Sequence, residues 1–231
     1  MSRTLNVVRM QLVNRQTFIW VPLLVLGGSL VVSVGIWVIL RNGGVEVTMV
    51  GGGAQAPLWY FLIVGVQALT LTFPFSQAMS VTRREFYLGT LLTAGITSGI
   101  LAVMFVVGGA IEIATGGWGV GGYFFALDWL WTAGPAAAGL FFFVIAMFAF
   151  VLGFFFATVY KRFGNLWLTV LIIGFALALL AVVWTITATR SWVPVMTAIV
   201  EGGVVGLTLG VAVATIAMAA VSYPALRRAV P

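Results

Sequence analysis

Residues 166–189 read LWLTVLIIGFALALLAVVWTITAT, an apolar run without a single charged side chain. A helix rises about 1.5 Å per residue, so about 20 helical residues cross the hydrocarbon core of a bilayer. A run of this length and composition is typical of a transmembrane helix rather than of a helix buried in a soluble protein. The chain therefore contains at least one predicted membrane span.

Five further runs of similar length are bounded by charges, glycine or proline. The six predicted spans are Thr17–Leu40, Pro57–Met79, Thr90–Ala114, Ala133–Thr158, Leu166–Thr189 and Val204–Tyr223. They predict an all-α integral membrane protein, in which residues 1–231 form a single bundle of six transmembrane helices. Residues 1–16 place Leu5, Val8 and Leu12 at helical spacing, which predicts an interfacial helix with Val7 and Met10 off its apolar face.

The composition agrees with a membrane location. Of the 231 residues, 62% are hydrophobic and 7% charged, whereas a soluble domain has about a quarter charged residues. The formal charge of +6 comes from scattered basic residues without a basic stripe, which argues against a nucleic-acid partner. Cysteine and histidine are absent, so disulfides, thiolate nucleophiles, imidazole relays and zinc sites built on those residues are excluded. The first apolar run lacks an Ala-x-Ala-like cleavage site, so we expect an uncleaved first span. Because the apolar runs are long and uninterrupted, we expect membrane lipid around the bundle.

The basic residues predict the orientation, because short positively charged loops stay on the cytoplasmic side. With both chain ends in the cytoplasm, only Arg41 and Arg190 of the eleven basic residues lie outside. The nine on the cytoplasmic side are Arg3, Arg9, Arg15, Arg83, Arg84, Lys161, Arg162, Arg227 and Arg228. Of the acids, only Glu85 lies inside, while Glu46, Glu112, Asp128 and Glu201 lie at or beyond the external ends.

The turn between spans two and three is the most distinctive segment. Thr82 is predicted to cap a short helix whose first turn carries Arg83, Arg84 and Glu85, with Phe86 and Tyr87 offering aromatic surface to another protein. Such a segment has the character of a docking site. The alternative is that the arginines only obey the positive-inside rule and the aromatic side chains anchor at the interface.

Residues 80–90 read Ser-Val-Thr-Arg-Arg-Glu-Phe-Tyr-Leu-Gly-Thr. This segment resembles the cytoplasmic loop of type-2 ABC transporter permeases, where (Ser or Gly)-x-Thr-Arg-Arg-(Glu or Asp)-Phe-(aromatic)-x-Gly-Thr follows the second span. In that family the segment is a coupling helix that seats in a cleft of a separate ATPase subunit, so that ATP-driven closure of two ATPases moves the membrane helices. Six spans, cytoplasmic ends and an amphipathic lead-in also match.

The resemblance implies a permease subunit of a bacterial exporter in the inner (plasma) membrane, working with an ABC ATPase and a second permease copy or a paralogue. The residues expected to receive the ATPase are Val81, Thr82, Arg83, Arg84, Glu85, Phe86 and Tyr87. Lys161 and Arg162 are expected to make a second cytoplasmic contact. The apolar spans with their hydroxyl and amide side chains favour a hydrophobic or amphiphilic substrate, such as a lipid, peptide or drug, although those side chains also suit helix packing.

This chain itself is not expected to be an enzyme or to bind ATP and magnesium. A P-loop needs Gly-x-x-x-x-Gly-Lys-(Ser or Thr), and the only lysine is Lys161. Gly117–Gly122 fits Gly-x-Gly-x-x-Gly but lacks the flanking strand and helix of a dinucleotide site, and Gly51–Gly53 reads as a flexible external turn. Glu112 is expected to reach toward the head groups rather than relay protons. No catalytic residue or metal site is predicted, and a non-transporting scaffold or sensor subunit stays as the alternative function.

Two further patterns concern helix geometry. Pro74 interrupts the helical hydrogen-bond ladder of span two, so we expect a kink near the cytoplasmic end of that span. Gln67, Pro74 and Gln77 are the candidate residues of this kink and of a transport pathway. The kink either transmits motion from the Arg83 segment, or the polar side chains around it only aid helix packing. Small residues recur in spans six and three, where they favour close helix approach within the chain or, as the alternative, between subunits. These glycines are Gly202, Gly206 and Gly210 in span six and Gly95 and Gly99 in span three.

Overall fold

The computed structural model describes residues 3–45 and 47–227, so the predictions for Glu46 and Arg228 lie outside the described residues. The described chain is almost entirely helical. The helices are α1 Arg3–Val13, α2 Val21–Asn42, α3 Ala56–Gln67, α4 Phe73–Ala78, α5 Arg83–Ala114, α6 Asp128–Trp131, α7 Pro135–Phe163, α8 Asn165–Ala188 and α9 Trp192–Arg227. Two-residue strands β1 Met49–Val50 and β2 Gly122–Tyr123 pair in parallel.

Six helical stretches are long and apolar enough to cross a membrane. They are Gln16–Asn42, Gly52–Ala78, Arg83–Ala114, Pro135–Phe163, Asn165–Ala188 and Trp192–Arg227. The all-α bundle of a multi-pass membrane protein is therefore the architecture, as the hydropathy predicts. The third stretch begins at Arg83 instead of Thr90, and the sixth begins at Trp192 but breaks at Gly203, whose φ is 53° and ψ is −155°, just before the predicted start at Val204.

Helix α7 lies at the centre of the bundle and packs against α3, α5 and α9. Its approach to α3 depends on two glycines. A Cβ atom on Gly153 would lie within 3.0 Å of the Leu62 backbone, and one on Gly65 would lie within 3.0 Å of the Phe150 carbonyl oxygen. The two helices are thus in backbone-to-backbone contact, which only glycine permits at these positions.

The glycines predicted to pack helices inside the chain do not do so. A Cβ atom added to Gly95, Gly99, Gly202, Gly206 or Gly210 would meet nothing within 4 Å. The prediction of intrachain packing at these five residues is wrong, because they lie on faces of α5 and α9 that no other described part of the chain covers. Contact of these glycines with another subunit, the alternative interpretation, stays a prediction.

Helix α1 packs against α5 with a face that only partly matches the predicted one: Val8 is buried and Leu12 is half-buried as predicted, but Leu5 is not. Val7, Val8 and Gln11 are buried, whereas Leu5 is exposed. The reason is Gly89, whose missing side chain makes room for Val7. Gln11 Nε2 also donates a hydrogen bond of 2.9 Å to Thr90 Oγ1, so a polar residue occupies the buried face.

The second membrane stretch changes its helical pitch close to Pro74. Residues Ala68–Thr72 form a π-helical turn between α3 and α4. Pro74 lies in the first turn of α4, where its missing N–H is tolerated. The helical pattern of span two is therefore irregular on the N-terminal side of the proline, and a kink at Pro74 stays a prediction.

Helix α8 contrasts with α7, because none of its residues is buried. Helix α9 buries one edge, at Val204, Thr208, Thr215 and Ser222, and leaves the rest open. Both helices are apolar on all sides, so their open faces are suited to lipid or to another membrane protein. The bundle of the single chain therefore presents one densely packed side and one sparsely packed side.

Candidate functional site

The connection between α4 and α5, residues 79–87, is called the elbow below. Its turn is held by Gln77 and Ser76: Gln77 Nε2 donates to the Val81 carbonyl at 3.0 Å, and Val81 N donates to the Ser76 carbonyl at 3.1 Å. Ser80 takes up a positive φ of 57° in this turn. Gln77, which was predicted to lie near the kink, thus ties the elbow to the end of the second stretch.

Thr82 begins α5 with a capping box. Its Oγ1 accepts a hydrogen bond from Glu85 N at 3.3 Å, and Glu85 Oε2 accepts one from Thr82 N at 3.0 Å. Such reciprocal bonds satisfy backbone donors that a helix N-terminus leaves unpaired. The predicted cap is confirmed, but the helix is not short: it continues without interruption from Arg83 to Ala114. The elbow is therefore continuous with the whole of α5.

The two aromatic side chains of the elbow are buried, so the prediction that they offer a surface to a partner is wrong. Phe86 is fully buried, with its ring centroid 5.1 Å from that of Phe73. The Tyr87 ring lies 5.2 Å from the Tyr223 ring, and its hydroxyl donates to the Ala219 carbonyl at 2.6 Å. Both residues join the elbow to neighbouring helices of the same chain.

The two arginines of the elbow have different environments. Arg83 Nη1 donates to the carbonyl oxygens of Leu226 and Arg227 at 3.2 and 2.5 Å, and so it satisfies carbonyls at the C-terminal end of α9. Arg84 is exposed, as is Thr82. Three exposed apolar side chains accompany them: Phe75, Met79 and Leu88. The elbow thus keeps an accessible surface, made of residues other than the predicted aromatic pair.

Lys161 and Arg162 lie in the last turn of α7. The guanidinium carbon of Arg162 lies 4.5 Å from the ring centroid of Phe163. Arg162 lines a cleft together with Ala225 of α9, and Ala225 directly precedes the carbonyls that Arg83 binds. The elbow and the end of α7 therefore lie at one end of the bundle, which is called the basic end below.

At the opposite end, the sequence reading of Glu112 is wrong. Glu112 is fully buried instead of reaching to the surface. Its carboxylate accepts hydrogen bonds from the Trp118 indole N–H at 3.1 Å and from Phe125 N and Ala126 N at 2.6 and 2.9 Å, and also from Phe124 N. These four donors surround the charge and compensate for its burial.

The segment that Glu112 binds, residues 124–126, also lies against residues 51–53. A Cβ atom on Gly53 would lie 3.0 Å from the Phe124 ring, and one on Gly51 would lie 2.9 Å from the Trp37 ring. Gly51 N also donates to the Tyr123 carbonyl at 2.9 Å. The prediction that Gly51–Gly53 forms a flexible external turn is therefore wrong, because this segment packs against α2. No residue spacing in the sequence predicts that Glu112 binds the backbone of residues 124–126. The only sequence signal is an isolated acidic residue near the end of an apolar helix.

Gln67, the remaining residue of the predicted kink, is half-buried at the end of α3.

Comparison of the chain with protein-family models, with curated proteins and with solved structures gave no match in any of the three. The functional interpretation consequently depends on the elbow, on the open faces of the bundle and on the physical chemistry of both.

Proposed function

We propose that this chain is the permease subunit of an ABC transporter, an exporter of a hydrophobic or amphiphilic substrate driven by ATP on a separate ATPase subunit. The observation that supports this most directly is the construction of the elbow. It presents an exposed cation, Arg84, on a turn that is continuous with a membrane-spanning helix. A cytoplasmic partner could therefore move transmembrane helices by pushing on a small surface.

The contacts of the elbow extend this motion beyond α5. Arg83 joins the elbow to the end of α9 through two carbonyl oxygens, and Tyr87 joins it to the Ala219 carbonyl of the same helix. Phe86 joins it to α4 through Phe73. Three helices thus share one attachment point. Rigid-body movement of packed helices is a common form of alternating access, and this arrangement suits it.

The proposal places the energy source outside the chain. The full sequence lacks the P-loop pattern, and its only lysine is Lys161, so the proposed partner carries the ATP and magnesium chemistry. Arg84, Met79 and Leu88 form the proposed docking surface, with Lys161 as a further contact at the same end. In this proposal both chain ends and the basic end face the cytoplasm of a bacterial inner membrane.

A second permease copy or a paralogue has a suitable contact face on α9. Gly206 and Gly210 lie four residues apart there, after the break at Gly203, and Gly202 lies directly before that break; all three are open to the outside of the chain. Small residues at this spacing allow two membrane helices to approach closely. We therefore assign these glycines to contact between permease subunits.

Arg84→Glu is expected to weaken association with the ATPase by at least tenfold, because reversing an exposed charge damages complementarity at the docked surface. The measurement is co-purification from mild detergent, with mass spectrometry of the captured subunit and ATP turnover of the complex. Arg190→Glu is the matched control, since Arg190 is an exposed arginine outside the basic end. Equal ATPase capture by both variants and the parent would contradict docking at Arg84, and capture of no ATPase at all would favour the scaffold or sensor function.

The orientation has its own test, which is simplified by the absence of cysteine from the sequence. Met79→Cys introduces a thiol at an exposed elbow position, and Asn42→Cys introduces one at the exposed end of α2. A membrane-impermeant maleimide added to intact cells is expected to label Asn42→Cys, and to label Met79→Cys only after the membrane is opened. The reverse pattern would overturn the proposed function, because the elbow would then face away from ATP.

A further inference from the structure

A cleft of about 850 Å³ opens between α7, α8 and α9 at the basic end. Its walls are apolar, with Phe155 and Val159 from α7, Trp167 and Leu171 from α8, and Pro224 from α9. All three helices are long and apolar enough to cross the membrane. The cleft therefore faces the bilayer, and hydrocarbon is the chemistry that its walls fit.

The α8 wall of this cleft needs a covering from outside the chain. None of the residues of α8 is buried, and Trp167 is 58% exposed. Without a polar face, α8 has no side that suits water. A hydrocarbon chain supplied by the membrane would cover the apolar side chains of α8 and of the other walls of the cleft at once.

One cationic side chain, Arg162, is part of the cleft lining. Its guanidinium carbon lies 4.5 Å from the Phe163 ring centroid, and a planar guanidinium is suited to bind phosphate oxygens. Lys161 precedes it in the same helical turn. Among the described residues that line the cleft there is no carboxylate to neutralise Arg162.

The α9 wall adds a polar atom. Pro224 has no N–H, so the carbonyl of Ala220, four residues earlier, lacks its usual helical donor. Ala220 and Pro224 both line the cleft. A carbonyl that has lost this donor is more open to a new one in an apolar medium, and a hydroxyl group on an occupant would be a suitable donor.

We propose that this cleft binds one anionic phospholipid, with an acyl chain between α7, α8 and α9 and the phosphate at Arg162. Basic pockets between membrane helices are suited to anionic head groups. A second copy of the chain is a poorer occupant, because in the same membrane orientation it would bring its own basic end to the same level, where like charges repel. The site goes beyond the proposed transport function and does not depend on it.

Native mass spectrometry of the full chain in detergent tests the head-group specificity. Dioleoyl phosphatidylglycerol, which is anionic and carries hydroxyl groups, is added in parallel with dioleoyl phosphatidylcholine at equal concentration. We expect retention of one anionic lipid at roughly fivefold higher occupancy than the zwitterionic one, since one arginine near the membrane surface is worth about that factor. Arg162→Gln should abolish the preference, and Arg190→Gln, at an exposed arginine outside the cleft, should keep it.

A second measurement locates the acyl chain. Phosphatidylglycerol with brominated chains quenches nearby tryptophan fluorescence, and Trp167 lines the cleft. We expect a saturable component of quenching that Trp167→Phe removes and that Trp192→Phe, in the first turn of α9, does not. Four results would each overturn the proposal. In mass spectrometry these are equal retention of the two lipids, equal effects of the two arginine variants, or a dimer of the chain that excludes the lipid. In fluorescence it is saturable quenching that survives Trp167→Phe.

Discussion

Gly153→Ala should destabilise the folded chain. The loss is expected to exceed that of Gly→Ala at any other glycine of α7, at the glycine of α8, or at the glycines on the open face of α9. The new Cβ atom would overlap the backbone of Leu62, and backbone atoms cannot rotate away as a side chain can. Overpacking of this kind costs about 1–3 kcal/mol and occasionally more. Alanine also gains about 1 kcal/mol of helix propensity over glycine, but separation of α3 from α7 outweighs that gain.

We expect a net loss of about 2 kcal/mol for Gly153→Ala, or a decrease in Tm of about 4–8 °C for a domain of this size. Gly153→Leu should prevent recovery of folded protein. Thermal unfolding of the detergent-purified chain, followed by intrinsic tryptophan fluorescence, measures both effects. Gly65→Ala should behave in the same way, because Gly65 faces the Phe150 carbonyl across the same interface.

Gly174→Ala is the matched control, because Gly174 lies in the middle of α8 with nothing within 4 Å of an added Cβ. Helix propensity alone then predicts an unchanged or slightly raised Tm. If Gly153→Ala and Gly174→Ala gave the same Tm, α3 and α7 would not be in backbone contact. The packing at the centre of the bundle would then have to be different from the one described.

Hydropathy predicts the six spans because the bilayer requires every backbone group inside it to be hydrogen-bonded within a helix. Length and composition therefore suffice for Leu166–Thr189, which the structure places at Asn165–Ala188. The same reasoning cannot find the packing faces. Lipid tails are as apolar as a protein core, so a membrane helix lacks the polar and apolar sides by which a soluble helix shows its buried face.

The glycines illustrate this limit. Gly202, Gly206 and Gly210 have the regular spacing that predicts helix contact, yet they are open. Gly153 is isolated in a phenylalanine-rich stretch and makes the closest approach in the bundle. Helix contact depends on which small residues face each other across two helices. That information lies in the tertiary arrangement rather than in the spacing along one helix.

The elbow shows a similar division. Thr82 and Glu85 could be read from the sequence, because a capping box is a local pattern four residues long. The burial of Phe86 and Tyr87 could not, because it depends on Phe73 and Tyr223, which belong to other helices. The bonds of Arg83 to the end of α9 are likewise tertiary. Arg84 is consequently the arginine on which the docking proposal can be tested cleanly.

Glu112→Ala should release the segment that follows α5, residues 115–127. The carboxylate accepts hydrogen bonds from three consecutive backbone N–H groups, those of Phe124, Phe125 and Ala126, and from the Trp118 indole. Removing it leaves four donors unpaired in a buried place, and each unsatisfied donor costs about 1–3 kcal/mol. Water entering after local opening will recover part of this, so we expect a net loss of at least about 3 kcal/mol.

Glu112→Gln should have an intermediate effect. The amide keeps the shape of the side chain, but it replaces one acceptor oxygen by an NH₂ group that faces N–H donors. It also removes the charge that strengthens the remaining bonds. The order of stability is therefore expected to be parent, then Glu112→Gln, then Glu112→Ala, in thermal unfolding of the purified chain.

Limited chymotrypsin digestion reports the release of the segment itself. Phe124 and Phe125 are buried in the parent protein, so mass spectrometry should detect cuts after them only in the Glu112 variants. Glu201→Gln and Glu201→Ala are the matched controls, because Glu201 is exposed on α9 and its replacement leaves no buried donor behind. A Glu112→Ala protein with the Tm and cleavage pattern of Glu201→Ala would show that the buried carboxylate does not hold the segment after α5 in place.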